Sequence, residues 1–159
     1  MIRFAMPDHH AGSQPPPLPG EPARRPWILA GLTVLLYIVS LFLPALNLEH
    51  EGDWTGGAVL ILGWLGPLIN QFGWLANVPW FVALVLLIFR FWTPAFILSL
   101  VAFLVGFSSL TIVHKEMLLD EGGVNKAIVL GLGPAFYLWM VALVLPAIIA
   151  ALGWRRLSL

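Results

Sequence analysis

Residues 58–91 read AVLILGWLGPLINQFGWLANVPWFVALVLLIFRF, and the way this stretch divides decides how often the chain crosses a membrane. As one helix it would be ~51 Å long, which exceeds one crossing but is too short for two crossings and a turn. We therefore predict a short non-spanning helix at about 58–68 and a span at about 74–91. Pro79 lies inside this span unless Asn77 caps a shorter helix that begins at Val78. The middle of the stretch is broken by Gly66, Pro67, Asn70, Gln71, Gly73, Asn77 and Pro79, and we call residues 70–79 the break.

The composition outside this stretch also indicates a membrane protein. Hydrophobic residues make up 60% of the chain and charged residues 10%, whereas a soluble domain of this size needs a polar shell. Three further apolar runs predict spans at about 27–46, 94–113 and 134–153, each about one hydrocarbon thickness long. The predicted fold class is all-α: an integral membrane bundle of four transmembrane helices, with one extra short interfacial or re-entrant helix. Whether residues 58–79 lie in the interface or re-enter stays open.

The first 26 residues differ from the rest, since they are rich in proline and poor in apolar runs. Such a stretch cannot bury enough apolar area to offset the entropy lost on ordering. We therefore predict a disordered, Pro-rich cytoplasmic tail over 1–26 and a membrane domain over 27–156. Met1 and Met6 are both candidate start residues.

Charged residues sort by side in this threading. The termini and the turn near residue 90 carry Arg24, Arg25, Arg90, Arg155 and Arg156. The loops on the other side carry two lysines and six acids: Lys115, Lys126, Glu49, Glu51, Asp53, Glu116, Asp120 and Glu121. Because Lys and Arg accumulate on the cytoplasmic side, we expect both termini to be cytoplasmic.

Tryptophan positions offer a second check on this threading, because indole rings prefer membrane interfaces. The predicted inner boundary has Trp27, Trp92 and Trp154. The predicted outer boundary has Trp54, Trp74 and Trp80.

Catalytic and redox chemistries have few candidate groups in this chain. There is no cysteine, and apart from Arg90 the predicted spans contain no Asp, Glu, His, Lys or Arg, so proton relays and intramembrane proteolysis lack their ionisable groups. A net charge of zero gives no reason to expect nucleic acid. We predict no enzyme activity and no cofactor. The intramembrane hydroxyls either bond within and between helices or line a pathway: Tyr37, Ser40, Ser99, Ser108, Ser109 and Thr111.

Four residues of the break form the candidate pocket for a ligand or partner: Asn70, Gln71, Trp74 and Asn77. Buried amides must be paired. They either pair with each other and with helix-end carbonyls, or they line a site of the kind that broken helices form.

The outer loops hold the other cluster of titratable groups. His50 and His114 could meet over a metal ion together with loop carboxylates. Their spacing matches no established ligand motif, and acidic outer loops are also expected from topology alone. We therefore expect solvated loops and no metal site, with these histidines as the weak candidates.

Three short motifs resemble a family of small, uncharacterised bacterial four-helix inner-membrane proteins. They are Gly63-Trp64-Leu65-Gly66, Trp74-Leu75-Ala76-Asn77 and Tyr137-Leu138-Trp139, and the likeness covers residues 27–154. The resemblance implies a multi-pass protein of the bacterial inner (cytoplasmic) membrane. It implies no activity, and no functional residues carry over from it.

The expected function is that of a non-catalytic accessory or interaction protein, of which an immunity-type protein is one form. Its expected partners are the lipid bilayer and another membrane protein, and the sequence also permits an oligomer. The alternative is a small oligomeric transport or channel protein, which would need a water-accessible route past the hydroxyls of its spans.

Overall fold

The computed structural model describes residues 24–49, 52–119, 122 and 124–155, and side chains for residues 28–154 of these. This part of the chain forms α-helices, strands and 3-10 segments. The helices are α1 (Arg24–Phe42), α2 (Gly56–Leu62), α3 (Asn77–Ile88), α4 (Trp92–Phe107) and α5 (Pro134–Arg155). The strands are β1 (Pro44–Leu48), β2 (Gly52–Thr55), β3 (Glu116–Leu118) and β4 (Lys126–Leu132). The 3-10 segments are Gly63–Ile69 after α2, Gly73–Ala76 before α3 and Ser108–Ile112 after α4.

Helix α5 is the centre of the helical part, because α1 and α4 both pack along it and α3 packs on α4. Small side chains sit where the helices approach: Ala83, Ala95 and Ala102 are fully buried. Small residues at such crossings let helix backbones come close and increase dispersion contacts.

Pro146 lies inside α5 and, having no N–H, leaves the Ala142 carbonyl without its helical donor. The indole Nε1 of Trp80 on α3 donates to that carbonyl oxygen at 2.8 Å. Trp80 is therefore buried against the middle of α5, and not at the outer boundary where its sequence position had suggested an interfacial ring.

The four strands form one antiparallel sheet in the order β2-β1-β4-β3. In β1, Leu46 lies opposite Trp54 on one side and Leu132 on the other. Because β1 follows α1 and β4 precedes α5, the sheet covers the end of the helices where α1 stops and α5 begins. Its inner face forms an apolar cluster with the start of α5: Ala45, Leu46, Leu48, Met117, Ala127, Val129 and Ala135.

The predicted all-α, four-transmembrane-helix bundle is wrong. The sheet contradicts the all-α class, and within the described ranges only Trp92–Ile112 and Pro134–Trp154 are long and apolar enough to cross a membrane. Residues 44–46, assigned to the first span, instead begin β1, where Pro44 takes the first strand position that proline tolerates. The span predicted at 74–91 is also shorter, because α3 has 12 residues and so extends only ~18 Å.

The sheet is not apparent from the sequence because both faces of β4 are apolar. Its exposed residues alternate with buried ones, yet Ile128 and Leu130 on the exposed face are themselves hydrophobic. A continuous apolar run carries no period-two signal. Its pattern does not distinguish such a strand from the beginning of the helix that follows it.

The two ends of the molecule carry different charges. At one end, Arg90 occupies the tight turn between α3 and α4 with φ 61°, and Trp92 packs against Gly153 of α5. At this same end, α1 begins at Arg24 and α5 ends at Arg155. The sheet end carries the acids and lysines that the structure describes, Glu49, Asp53, Lys115, Glu116 and Lys126, and Glu116 forms a 3.2 Å ion pair with Lys126.

Residues 1–23 lie outside the described residues, so the predicted tail is described only from Arg24, where α1 begins. The short helix predicted at 58–68 falls within α2 and the 3-10 segment that follows it. Pro79 lies in the first turn of α3, where its missing N–H costs no helical hydrogen bond.

Candidate functional site

A cavity of about 120 Å³ lies where the helices meet the sheet. The end of α1, helix α2 with its 3-10 extension, the 3-10 segment after α4 and the first turn of α5 all contribute to its wall. Strand residues such as Leu46, Met117 and Leu132 close it on the sheet side. We call this space the junction cavity.

Most of the wall is aliphatic or aromatic, and a small set of polar side chains interrupts it. Among the described residues, the Tyr37 phenol is the only ionisable side chain on the wall. The polar and indole-bearing members are Tyr37, Ser40, Gln71, Trp74, Asn77, Ser109 and Trp139.

The break in the 58–91 stretch folds into a tight turn that places its amides at the cavity. Asn70 adopts the left-handed conformation at φ 56°, which asparagine tolerates better than most residues. The Gln71 backbone N–H then donates to the Gly66 carbonyl at 2.8 Å. The chain therefore reverses at Asn70 and turns the Gln71 side chain inward.

Two glycines allow this turn to pack closely. A Cβ on Gly63 would lie 2.3 Å from the Trp74 ring, and one on Gly73 would overlap the Ser109 side chain. Any larger residue would push the 3-10 segment at Gly63 away from the Trp74 ring, or the segment at Gly73 away from the 3-10 segment that follows α4. The glycines are thus needed for close approach at the wall.

Asn77 joins three elements through its side-chain amide. Its Oδ1 accepts from the Tyr37 hydroxyl at 3.1 Å and from the Trp139 Nε1 at 2.9 Å. Its Nδ2 donates to the Trp74 carbonyl at 2.9 Å. Both oxygen lone-pair directions are used, so Asn77 acts as a cross-link between α1, α3 and α5 and offers a ligand little further capacity.

Trp74 is also bound internally. Its indole Nε1 donates to the Leu60 carbonyl of α2 at 2.8 Å. That carbonyl lies near the end of α2, where acceptors lack intrahelical partners. The Trp74 ring is therefore held in place as a half-buried part of the cavity wall.

Gln71 differs from these two residues, because its amide is not satisfied. Its side chain is 6% exposed, and Oε1 has a long 3.4 Å contact with the Thr111 hydroxyl. Its Nε2 is buried and has no hydrogen-bond partner in the described part of the chain. A buried amide left unpaired costs about 1–3 kcal/mol, so this nitrogen is the fully buried polar atom on the described wall that has unused binding capacity.

The four residues proposed from the sequence therefore separate. Gln71, Trp74 and Asn77 come together at the junction cavity, whereas Asn70 is exposed and is not part of the wall. The sequence carries no signal that associates Tyr37, Ser109 or Trp139 with this site. Each is separated from the break by a helix or a loop, and no local pattern connects them to it.

The hydroxyls weighed as a pathway bond mostly to nearby carbonyls. Ser40 donates to Tyr37, Ser108 to Val105 and Thr111 to Ser108. The Ser99 hydroxyl instead crosses to α5, where it donates to the Leu143 carbonyl at 2.6 Å and accepts from the Ala147 N–H at 3.0 Å. These bonds are those that hydroxyls make in packed membrane helices.

The two histidines considered for a metal are not brought together by any described contact. His50 lies outside the described residues. His114 is exposed at a left-handed position with φ 65°, and its backbone N–H donates to the Val129 carbonyl. No group of three or more His, Cys, Asp or Glu suited to a metal occurs among the residues that the structure describes.

Comparison of the chain with family models, curated proteins and solved structures finds no match. The family resemblance of the short motifs therefore stays a prediction.

Proposed function

We propose that this chain is a non-catalytic, membrane-embedded binding protein, and that the junction cavity is its binding site for a lipid or for an apolar segment of a partner. The observation that carries this proposal is the buried Gln71 amide nitrogen, which has no partner among the described residues and lies on a largely apolar wall. Ligand sites typically combine apolar walls with a few placed polar groups.

The outward faces of the helices support membrane embedding. In Trp92–Ile112, 22% of the most apolar stretch is buried inside the protein, and in Pro134–Trp154 the buried share is 50%. A core helix of a soluble protein would instead be mostly buried. Phe42 of α1 is 77% exposed and Phe81 of α3 is 64% exposed. Water would strongly disfavour so much contiguous apolar surface.

We further propose a multi-pass protein of the bacterial inner membrane in which α4 and α5 cross as an antiparallel pair. In this arrangement α1 and α3 pack beside the pair with their apolar outer faces against lipid. The Arg90 end would face the cytoplasm and the sheet the outside, since Lys and Arg favour the cytoplasmic side. Both termini would then be cytoplasmic, and the lysines of the sheet end are the exceptions to this rule.

A binding role suits the groups on the wall better than catalysis does. Acid–base or nucleophilic catalysis needs an ionisable or activated group within reach of the substrate. Among described residues, the wall offers one phenol, and its hydroxyl already donates to Asn77. An accessory role, including an immunity-type role or a place in an oligomer, follows from the same binding capacity and from the apolar outer faces.

The transport alternative lacks a specific observation in its favour. It needs polar groups along a continuous aqueous route, and Ser99, its deepest candidate, is 0% exposed and occupied by two hydrogen bonds to α5. We therefore retain the binding function as the proposal.

The proposal is tested by isolating the full chain in mild detergent and analysing bound molecules by native mass spectrometry. We expect the wild-type protein to retain a lipid or a defined partner. The Val59→Phe variant fills the cavity from α2 and should lose the bound molecule. The matched control is Val101→Phe, because Val101 points outward from α4 and is 41% exposed. Isolation of a ligand-free wild-type monomer, or equal retention by both variants, would contradict the proposal.

A further inference from the structure

We propose that the junction cavity binds the acyl ester of a membrane lipid, with the ester carbonyl oxygen accepting a hydrogen bond from Gln71 Nε2. This inference rests on the proposed binding function and names the class of its ligand. Three properties of the cavity lead to it: its size, the polarity of its wall and its depth along the helices.

The size of the cavity argues against a single water as the partner of Gln71. One water needs about 10–15 Å³ of such volume and two to four polar partners. The junction cavity measures about 120 Å³, and its remaining surface is largely apolar. A comparable apolar cavity of ~150 Å³ in another protein stays dry and binds a benzene-sized molecule. The expected occupant is therefore a short apolar segment that carries one polar atom.

The polarity of the wall defines that polar atom. Gln71 Nε2 is a donor and requires an acceptor. No cationic side chain is present on the described wall to neutralise a carboxylate or phosphate, and burying an unpaired anion is costly. Asn77 Oδ1 already accepts from Tyr37 and Trp139. Asn77 Nδ2 and Trp74 Nε1 already donate to backbone carbonyls. A neutral carbonyl oxygen satisfies these conditions.

The depth of the cavity selects a lipid ester among neutral carbonyl compounds. Its wall includes Ser109 and Ile112 at the end of the α4 span and Ala135 and Phe136 at the start of α5. These are the positions where apolar spans give way to the polar boundary of a bilayer, and lipid ester carbonyls lie at that boundary. Half-exposed wall residues such as Leu62 and Ile69 leave the cavity open to an acyl chain.

The test compares a lipid that carries ester carbonyls with one that lacks them. Dioleoylglycerol and its dialkyl ether counterpart are titrated into delipidated full-length protein in detergent, and the bound fraction is measured by native mass spectrometry. We expect the wild-type protein to bind the ester roughly threefold to tenfold more tightly than the ether, which corresponds to one net hydrogen bond. The Gln71→Leu variant should bind ester and ether equally. Asn70→Gly is the matched control, since it removes an exposed neighbouring amide, keeps the left-handed turn and should retain the ester preference.

Several results would overturn the inference, and they differ from failure of the proposed function. Equal binding of ester and ether by the wild type, unchanged by Gln71→Leu, would mean that the amide is hydrated or idle while the cavity still binds lipid. Equal binding that falls with Gln71→Leu would identify the free hydroxyl as the recognised group. Loss of ester preference in Asn70→Gly would locate recognition outside the cavity. No binding of either lipid would contradict both the acyl ester and a lipid-binding function.

Discussion

At the scale of single residues, the hydrogen bonds that matter most connect helices at places where one helix is incomplete. Pro146 deprives α5 of an N–H, and Trp80 donates to the carbonyl that this proline leaves free. One residue further along α5, the Ser99 hydroxyl lies between the Leu143 carbonyl and the Ala147 N–H. In an apolar environment, no water is available to hydrogen-bond such groups in place of their protein partners.

Replacing Ser99 with alanine should therefore destabilise the protein. The change removes both a donor and an acceptor from a fully buried position, and leaving buried backbone groups unpaired costs about 1–3 kcal/mol. The free energy of unfolding in mixed detergent micelles measures the effect. Ser108→Ala is the control, because Ser108 bonds only its own helix and should change stability by less than ~0.5 kcal/mol. Equal losses in the two variants would show that Ser99 does not support the proline site.

Asn77 and Gln71 illustrate how two amides from one break acquire different roles. Both lone pairs of Asn77 Oδ1 accept, from Tyr37 and Trp139, and its Nδ2 donates to the Trp74 carbonyl, whereas Gln71 Nε2 is buried and has no partner among the described residues. Their residue types alone do not distinguish them. The difference arises because donors from α1 and α5 reach Asn77 Oδ1, whereas no acceptor among the described residues reaches Gln71 Nε2.

At the scale of elements, the sheet and the helices are joined by very short connections. Gly133 separates β4 from α5, and its N–H donates to the Ala45 carbonyl at 2.8 Å. A Cβ at this position would lie 2.3 Å from the Pro44 carbonyl oxygen. The strand therefore meets the helix at a contact between backbones that only glycine permits.

We expect Gly133→Ala to weaken the junction between sheet and helices. The atoms that the new methyl group would meet belong to the backbone of Pro44 and Ala45, which cannot rotate away, and overpacking of this kind costs about 1–3 kcal/mol. Hydrogen–deuterium exchange of the β1 and β4 amides would reveal the loosening. Gly131→Ala on the same strand is the control, because the new methyl group would approach only the side-chain Nδ2 of Asn47, 4.0 Å away. Unchanged exchange in Gly133→Ala would contradict the close contact.

At the scale of the whole molecule, a polar, mixed-charge sheet end and an arginine end enclose a helical part with apolar outer faces. This distribution suits a protein whose middle lies in hydrocarbon and whose ends lie at the two interfaces. The junction cavity lies at the sheet end of this apolar helical part. A ligand could therefore enter it from the boundary between lipid and water.

The orientation of the molecule is open to a labelling experiment, because the chain has no native cysteine. Asp53→Cys places a thiol on the sheet end, and Thr93→Cys places one near Arg90 at the other. In intact bacterial cells, a membrane-impermeant maleimide should label Asp53→Cys. Thr93→Cys should react only after the cells are permeabilised, which is the control for reactivity at both sites. The reverse pattern would invert the proposed orientation and place the cavity on the cytoplasmic side.

The sequence by itself determined the apolar character of the chain, the sorting of its charges and the break near residue 70, because composition and proline, glycine and amide positions are local properties. It also brought Gln71, Trp74 and Asn77 forward as candidates. Only the tertiary structure decided that residues 44–48, 52–55, 116–118 and 126–132 form a sheet, since a strand such as β4 with two apolar faces carries no alternating signal and the pairing of β1 with β4 is long-range. The same holds for the cavity: Tyr37 and Trp139 reach Asn77 through contacts 40 and 62 residues apart, and such contacts depend on how the helices pack.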